Sequence, residues 1–235
     1  MKRIALATRS AHKAQEIRQI LGTAPLQLLS LADLDIPATA EEDLVENAVT
    51  FVGNAIAKAR YFAALTGLPT IADDSGLEVD ALGRRPGVRT RRFALDHGYS
   101  GPGGVALDQA NNTLLLDKLR AVPDTERTAR YVCAAALAWP APAHKTAPQD
   151  TTDSPVAEHA GSGTFAGTHR PQRTLAALGT CEGRIAHELR GTGGFGYDPL
   201  FLLPDLDITF AELSAGQKNA RSHRARAFRA LVPLL

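Results

Sequence analysis

The sequence predicts an α/β protein built on a mixed sheet. Three observations carry that expectation. Short apolar runs of strand length alternate with helical patterns through the first half of the chain, and the second half is richer in strand-like runs. The 235 residues, 44% hydrophobic and 22% charged, are ordinary for a globular protein with a substantial core. No run approaches the roughly 18 apolar residues of a membrane span. We read residues 1–235 as a single domain.

The elements follow in order. RIALAT (3–8) reads as a short apolar first strand. In HKAQEIRQIL, Ala14, Ile17, Ile20 and Leu21 fall on one helical face, and Gly22 is a stop. LQLLSL (26–31) is a second strand. A long helix is expected over 46–65, with Val49, Val52, Ile56, Ala59 and Ala63 as its stripe. PTIAD and LEVDAL read as strands on either side of a turn, Asp73-Asp74-Ser75-Gly76; if the strand instead ran through, alternation would send the two aspartates to opposite sides. Residues 104–119 read as a helix, and TARYVCAAALAW (128–139), IAHEL (185–189) and PLFLL (199–203) as strands. Ser214 and Gln217 fit a capping box for a helix that carries Ala220, His223, Ala227 and Leu231 on one face. Residues 140–173 stand apart: rich in proline and small polar residues, they read as a mobile insertion.

Charge and cysteine narrow the function. A net charge of +1 offers no global field for nucleic acid. Cys133 and Cys181 show no metal-like spacing and read as reduced thiols of a cytoplasmic protein. The N-terminus has neither the length nor the cleavage pattern of a signal peptide. Residues 19–57 hold six acids and no Lys or Arg, whereas 84–92 carry five arginines and 216–229 five basic residues. An acidic segment and basic segments together could assemble a site for a metal and a polyanion.

Four constellations carry chemistry. Thr8, Arg9, Ser10, Ala11, His12 and Lys13 follow the first strand and open the first helix, where unpaired N–H groups and the dipole favour an anion; the other reading is a Thr8 or Ser10 cap. In ADDSG, one aspartate with one acid from 41–46 would suffice for Mg²⁺. In GTGGFGYDP (191–199), glycines permit close approach to a ligand, and Phe195 and Tyr197 offer flat surfaces for a base. Lys218, Arg221 and Arg224 recur at helical spacing, and with His223 they form a late basic cluster whose other reading is a solvated helix face.

Taken together, TxxxxK at 8–13, ADDSGLEVDALGxRPGV from 72, GTGGFGYDPLF from 191 and KNxxSHRxRA from 218 resemble the inosine/xanthosine triphosphate pyrophosphatase family. The resemblance covers nearly the whole chain outside 140–173. It implies an elongated mixed α/β sheet with two lobes around a substrate cleft, usually a homodimer. It also implies hydrolysis of deaminated purine nucleoside triphosphates to monophosphate and pyrophosphate, with Mg²⁺. By the same resemblance Thr8–Lys13 bind phosphates, and Asp74 is general base and metal ligand with Ser75 beside the substrate. Phe195, Gly196, Tyr197 and Asp198 then line the nucleoside pocket with Lys218, His223 and Arg224, while Asp73 buttresses the turn. Aligning TFVGNAIAKAR (50–60) with the family helix leaves Glu46 as the best match to the second metal carboxylate, with Glu41 and Glu42 as alternatives.

Several positions depart from the family pattern. Ser10 replaces the usual Asn, Arg84 the second glycine of GGxPG, and Gly53-Asn54-Ala55 the usual Glu-Asn-Ala. Arg89 stands at an aromatic position, followed by Thr90-Arg91-Arg92 where Ser-Ala-Arg is common. Two other functions stay open at this point: a pyrophosphatase for modified pyrimidine nucleotides, and a nucleotide sensor without turnover.

Overall fold

One eight-stranded sheet organises the chain in a computed structural model that describes residues 2–22, 24–141 and 173–234. The strands are β1 (Lys2–Ala7), β2 (Leu26–Ser30), β3 (Thr70–Val79), β4 (Arg85–Pro86), β5 (Thr128–Ala138), β6 (Thr174–Ile185), β7 (Phe201–Leu203) and β8 (Ile208–Thr209). Their order is β2-β1-β3-β5-β6-β7-β8, with β4 paired to β3. β1 is parallel to β2 and β3, and every other pairing is antiparallel, so the sheet is mixed as expected.

Helices cover both faces. α1 (Ala11–Leu21) and α6 (His223–Leu231) pack on one, where Ile17, Phe228 and Leu231 meet Ile4, Leu6, Ile71, Ala135 and Leu137. α3 (Phe51–Thr66), which follows the short α2 (Glu42–Val45), packs on the other against Ala7, Ala72, Ala134 and Ala136. The alanines of β5 alternate between these two cores, and their small side chains let both helices approach closely. A third core, at the far end of the sheet, packs Leu115 and Leu119 from the region of α4 (Val105–Lys118) against Leu77, Tyr131, Phe201 and Phe210. Burying each such side chain is worth about 1.5–3 kcal/mol. α5 (Ala215–Arg221) leads into α6.

The first strand and helix, the strand at 128–138 and the helix at 105–118 agree with the sequence reading, and both cysteines are buried and free. Burial raises the pKa of both thiols, which keeps them protonated. Four expectations need correction. No turn interrupts 73–76: β3 runs through it because β5 pairs with it residue for residue from Thr70 to Val79. α3 starts at Phe51, where Thr50 caps it, so Val49 precedes the helix and is 92% exposed. The final helix is two, since Ser222 breaks from helical geometry and caps α6 through Ala225 N–H. Residues 186–189 form no strand; the strand is β6, which the sequence reading missed. Two glycines dilute its pattern, yet Gly179 is what lets α6 lie on it, because a Cβ there would stand 2.2 Å from the His223 carbonyl. The insertion expected at 140–173 lies almost wholly outside the described residues. Among the described residues no helix is long and apolar enough to cross a membrane.

Candidate active site

β1 stays beside β3 for only three residues, Ala5–Ala7 against Thr70–Ala72. It then ends, and β3 continues alone on that side past Asp73 and Asp74. Ligands of open α/β sheets collect at such carboxyl ends. The chain leaving β1 turns at Thr8, whose hydroxyl accepts from Ser10 N–H at 3.2 Å. Ser10 then caps α1 by accepting from Lys13 N–H at 3.3 Å. This turn presents Lys13 to β3, with Nζ 3.1 Å from Asp73 Oδ2.

Strand alternation sends the two aspartates to different environments. Asp73, fully buried, faces α1 and α6, where Lys13, Arg224 (Nε at 3.3 Å) and Ser75 Oγ (3.3 Å) all meet its Oδ2. Burial alone would raise its pKa, but the charges of Lys13, Arg224 and Lys58 outweigh burial and hold it ionised, well below the usual range. Asp74, 7% exposed, faces α3, taking a hydrogen bond from Asn54 Nδ2 at 2.9 Å on Oδ2 and one from Ser75 N–H at 2.9 Å on Oδ1. Here burial is the largest influence and the pKa is raised; Lys13, the Asn54 hydrogen bond and Lys58 offset it only in part, and Glu46 adds to the rise. Adjacent carboxylates whose environments drive them apart in this way take different chemical roles.

An ion-pair chain runs from this point along α1 and α6. Arg224, 2% exposed, bonds Asp73, Ser75 Oγ (2.9 Å) and Glu16. Lys218 bonds Glu16 at 2.8 Å and Asp198 at 2.6 Å, and its Nζ lies 4.8 Å from the Phe195 ring centre. Phe195 in turn stacks on His12 at 5.4 Å and 17°. The glycine-rich loop is held by Asp198, which accepts from Phe195 N–H at 2.9 Å, and by α4, where Asp108 and Asn112 bond the two sides of the Gly196 peptide. Gly194 has φ +73, and a Cβ on it would stand 2.1 Å from Asp198 Oδ2.

The structure thus gathers His12, Lys13, Asp73, Asp74, Ser75, Phe195, Asp198, Lys218 and Arg224. Other expected residues lie differently. The Tyr197 ring is buried in the core, and its hydroxyl donates to the Thr90 carbonyl at 2.9 Å. His223 is buried and stacks on Tyr131 at 4.6 Å; burial, with the nearby Arg224 and Lys218 charges, keeps it neutral. Arg9 points to the acidic segment, donating to Glu42 and to the Ile36 and Pro37 carbonyls, both at 2.8 Å. That pairing occupies Glu42, and Glu41 is exposed. Glu46 is the acid of the three that acts on Asp74 electrostatically, and Lys58 holds it at 2.5 Å. Within 84–92, Arg89 pairs with Asp96 and Arg85 donates to the Leu82 carbonyl, so both are engaged locally.

Sequence reading missed Glu16, Asn54 and Lys58. Glu16 stands three residues after Lys13 on the same helical face, and Asn54 and Lys58 are one turn apart on α3, so spacing alone made them candidates. Five carboxylates (Glu16, Glu46, Asp73, Asp74, Asp198) face four cationic side chains (Lys13, Lys58, Lys218, Arg224). A polyphosphate entering here needs further positive charge. Asp74 and Glu46 offer hard carboxylate oxygens of the kind Mg²⁺ takes, one or two at a time. Among the described residues no cluster of three or more metal-binding side chains exists, so such a cation would rest on this pair and its ligand.

The fold defines an α/β protein on a mixed sheet, with a cluster of charged side chains gathered beside a glycine-rich loop and the Phe195 ring. Comparison with known proteins agrees. The chain belongs to the Ham1 family, whose model matches residues 4–167 and 163–234. It is 42% identical over 233 residues, 99% of this chain and 98% of the other, to the dITP/XTP pyrophosphatase of Thioalkalivibrio sulfidiphilus (strain HL-EbGR7). It is 41% identical to that of Nocardia farcinica (strain IFM 10152), covering 100% and 95% of the two chains. The solved HAM1 protein from Coxiella burnetii superposes with a TM-score of 0.72 at 33% identity, over 100% of this chain and 98% of that one. The Staphylococcus aureus Ham1 protein gives 0.71 at 31%, over 99% and 97%.

Proposed function

We propose that this protein hydrolyses deaminated purine nucleoside triphosphates (ITP, dITP and XTP) to the monophosphate and pyrophosphate, clearing them from the nucleotide pool. The observation that carries the reading is Asp74. It is a buried carboxylate midway along β3, just past the point where β1 ends, beside Lys13 and Glu46, with each oxygen accepting one hydrogen bond and keeping a lone pair. The names of the full-length relatives support the substrate class.

In this reading the Thr8–Lys13 turn receives the phosphate chain, its helix-start N–H groups and Lys13 meeting the anionic oxygens. Asp74 orients a water and takes its proton as the water attacks phosphorus, and Lys13 neutralises charge growing on the departing pyrophosphate. Asp74 and Glu46 would hold Mg²⁺, whose contribution when bound is Lewis-acid charge neutralisation on phosphate oxygens. Phe195 provides the flat surface for the base, and Lys218, over that ring, supplies a donor for a 6-oxo group, which adenine lacks. Gly196 and Asp198 shape this pocket, and Tyr197, His223 and Arg224 support it from behind. The same reading takes the protein as a cytoplasmic homodimer.

The test is pyrophosphate release over a panel of ITP, dITP, XTP, GTP, ATP and modified pyrimidine triphosphates, with and without Mg²⁺. Metal-dependent turnover highest on ITP and XTP is expected. Preference for a pyrimidine nucleotide, or binding without turnover, would overturn the reading.

A further inference from the structure

α3 turns two polar side chains toward Asp74 in the middle of β3, one helical turn apart. Lys58 reaches Glu46. Asn54 is 3% exposed and makes two bonds: Nδ2 donates to Asp74 Oδ2 at 2.9 Å, and Oδ1 accepts from the backbone N–H of Ala48 at 2.7 Å. The amide cannot be reversed. Flipping it would set an oxygen against a carboxylate and an NH₂ against an N–H. A buried amide inside a helix is unfavourable without partners, and these two bonds supply them.

Ala48 lies two residues beyond Glu46, so one side chain ties the β3 carboxylate to the segment that carries the second acid. Gly53 leaves the room for this: a Cβ there would stand 2.7 Å from the Ala48 Cβ. Close docking of the 46–48 segment on α3 therefore depends on Gly53, and its register against Asp74 on Asn54.

We infer that Asn54 is a positioning residue, which holds Asp74 in one rotamer and sets the spacing between Asp74 and the Glu46 segment so that both carboxylates can grip one divalent cation. The inference rests on the reading of that pair as the Mg²⁺ ligands. Asn54 acts through Asp74 and Ala48, as partners behind metal ligands do; losing such a partner typically costs about 10–100-fold in metal affinity or activity.

The experiment compares wild type, Asn54→Ala, Asn54→Asp and Gly53→Ala by three measurements. These are pyrophosphate release from ITP across Mg²⁺ concentrations, calorimetric Mn²⁺ binding in the presence of a non-hydrolysable imido analogue of ITP, and the melting temperature. Asn54→Ala should weaken Mn²⁺ binding and raise the half-saturating Mg²⁺ concentration by about tenfold or more, with metal-free binding of the analogue within about threefold. Asn54→Asp, which sets a second carboxylate against Asp74, should lose more catalytic rate. Gly53→Ala should shift metal dependence in the same direction without touching either carboxylate. Unchanged Mn²⁺ affinity in Asn54→Ala, even with a lower melting temperature or rate, would make Asn54 a structural residue and overturn the inference. If wild type releases pyrophosphate from no triphosphate, the functional reading fails, while the Mn²⁺ comparison still decides the role of Asn54.

Discussion

Replacing Arg224 with methionine should cost about 3 kcal/mol of folding stability. Methionine can follow the aliphatic stem but removes a guanidinium that is 2% exposed and bonded to Asp73 (3.3 Å), Ser75 (2.9 Å) and Glu16. Breaking a buried ion pair by deleting one partner costs about 3–5 kcal/mol, because a charge is left buried without compensation. Compensation is partial here: Asp73 keeps Lys13 at 3.1 Å and Glu16 keeps Lys218 at 2.8 Å, which points to the lower end. In a chain of this length each kcal/mol moves Tm by about 2–4 °C, so a drop of about 6–12 °C is expected. Urea unfolding should show a lower midpoint with an unchanged slope. The double variant Arg224→Met/Asp73→Asn should lose less than the sum of its single changes, with a coupling of about 0.5–3 kcal/mol. A single-variant loss below about 1 kcal/mol, or strict additivity, would refute the claim that this pair bears on the fold.

Three further outcomes follow from particular residues. Asp74→Asn keeps the shape and loses the base, so turnover of ITP should fall about 10²–10⁴-fold with the nucleotide still bound; near wild-type turnover would remove Asp74 from that role. Glu16 is held below its ordinary pKa: burial pushes it up, but the Arg224 and Lys218 charges and their hydrogen bonds pull it down further. A depressed carboxylate contributes stability that is fully present above the unfolded pKa of about 4.3 and is lost as pH falls through the lower folded pKa, so the stability gap between wild type and Glu16→Gln should begin to close as pH drops below about 5 and keep closing on further acidification. A gap that stays constant on acidification would contradict this. Arg84 sits at φ +64 directly after Gly83 at +62. Left-handed backbone costs a side chain about 1–2 kcal/mol and glycine loses about 0.5–1 kcal/mol more in ordering, so Arg84→Gly should stabilise by up to about 1 kcal/mol, measurable by chemical denaturation.

What the sequence determined by itself is whatever near neighbours decide. The run RIALAT, the apolar spacing of α1 and the caps at Ser10 and Ser214 act within a few residues, so β1, α1, α5 and the exit turn that presents Lys13 could be read directly. The pairing of Asp73 and Asp74 marked the site because two adjacent acids at the end of an apolar run demand partners. Whether the strand continued through them was a different matter. Locally, Asp-Asp-Ser-Gly has the chemistry of a turn, but β5 pairs along all ten residues of β3, and Gly76 is needed because the Gly87 carbonyl would stand 2.5 Å from a Cβ. The sorting of roles was likewise tertiary. Asp73 became an ion-pair anchor because Arg224, 151 residues away, is folded against it, and Asp74 kept open valences because α3 offers it an amide. Glu16 looks like any charged residue on a helix until Arg224, 208 residues along the chain, is brought to it. Burial strengthens such contacts and raises the cost of each unpaired charge, and burial arises only when the helices close on the sheet.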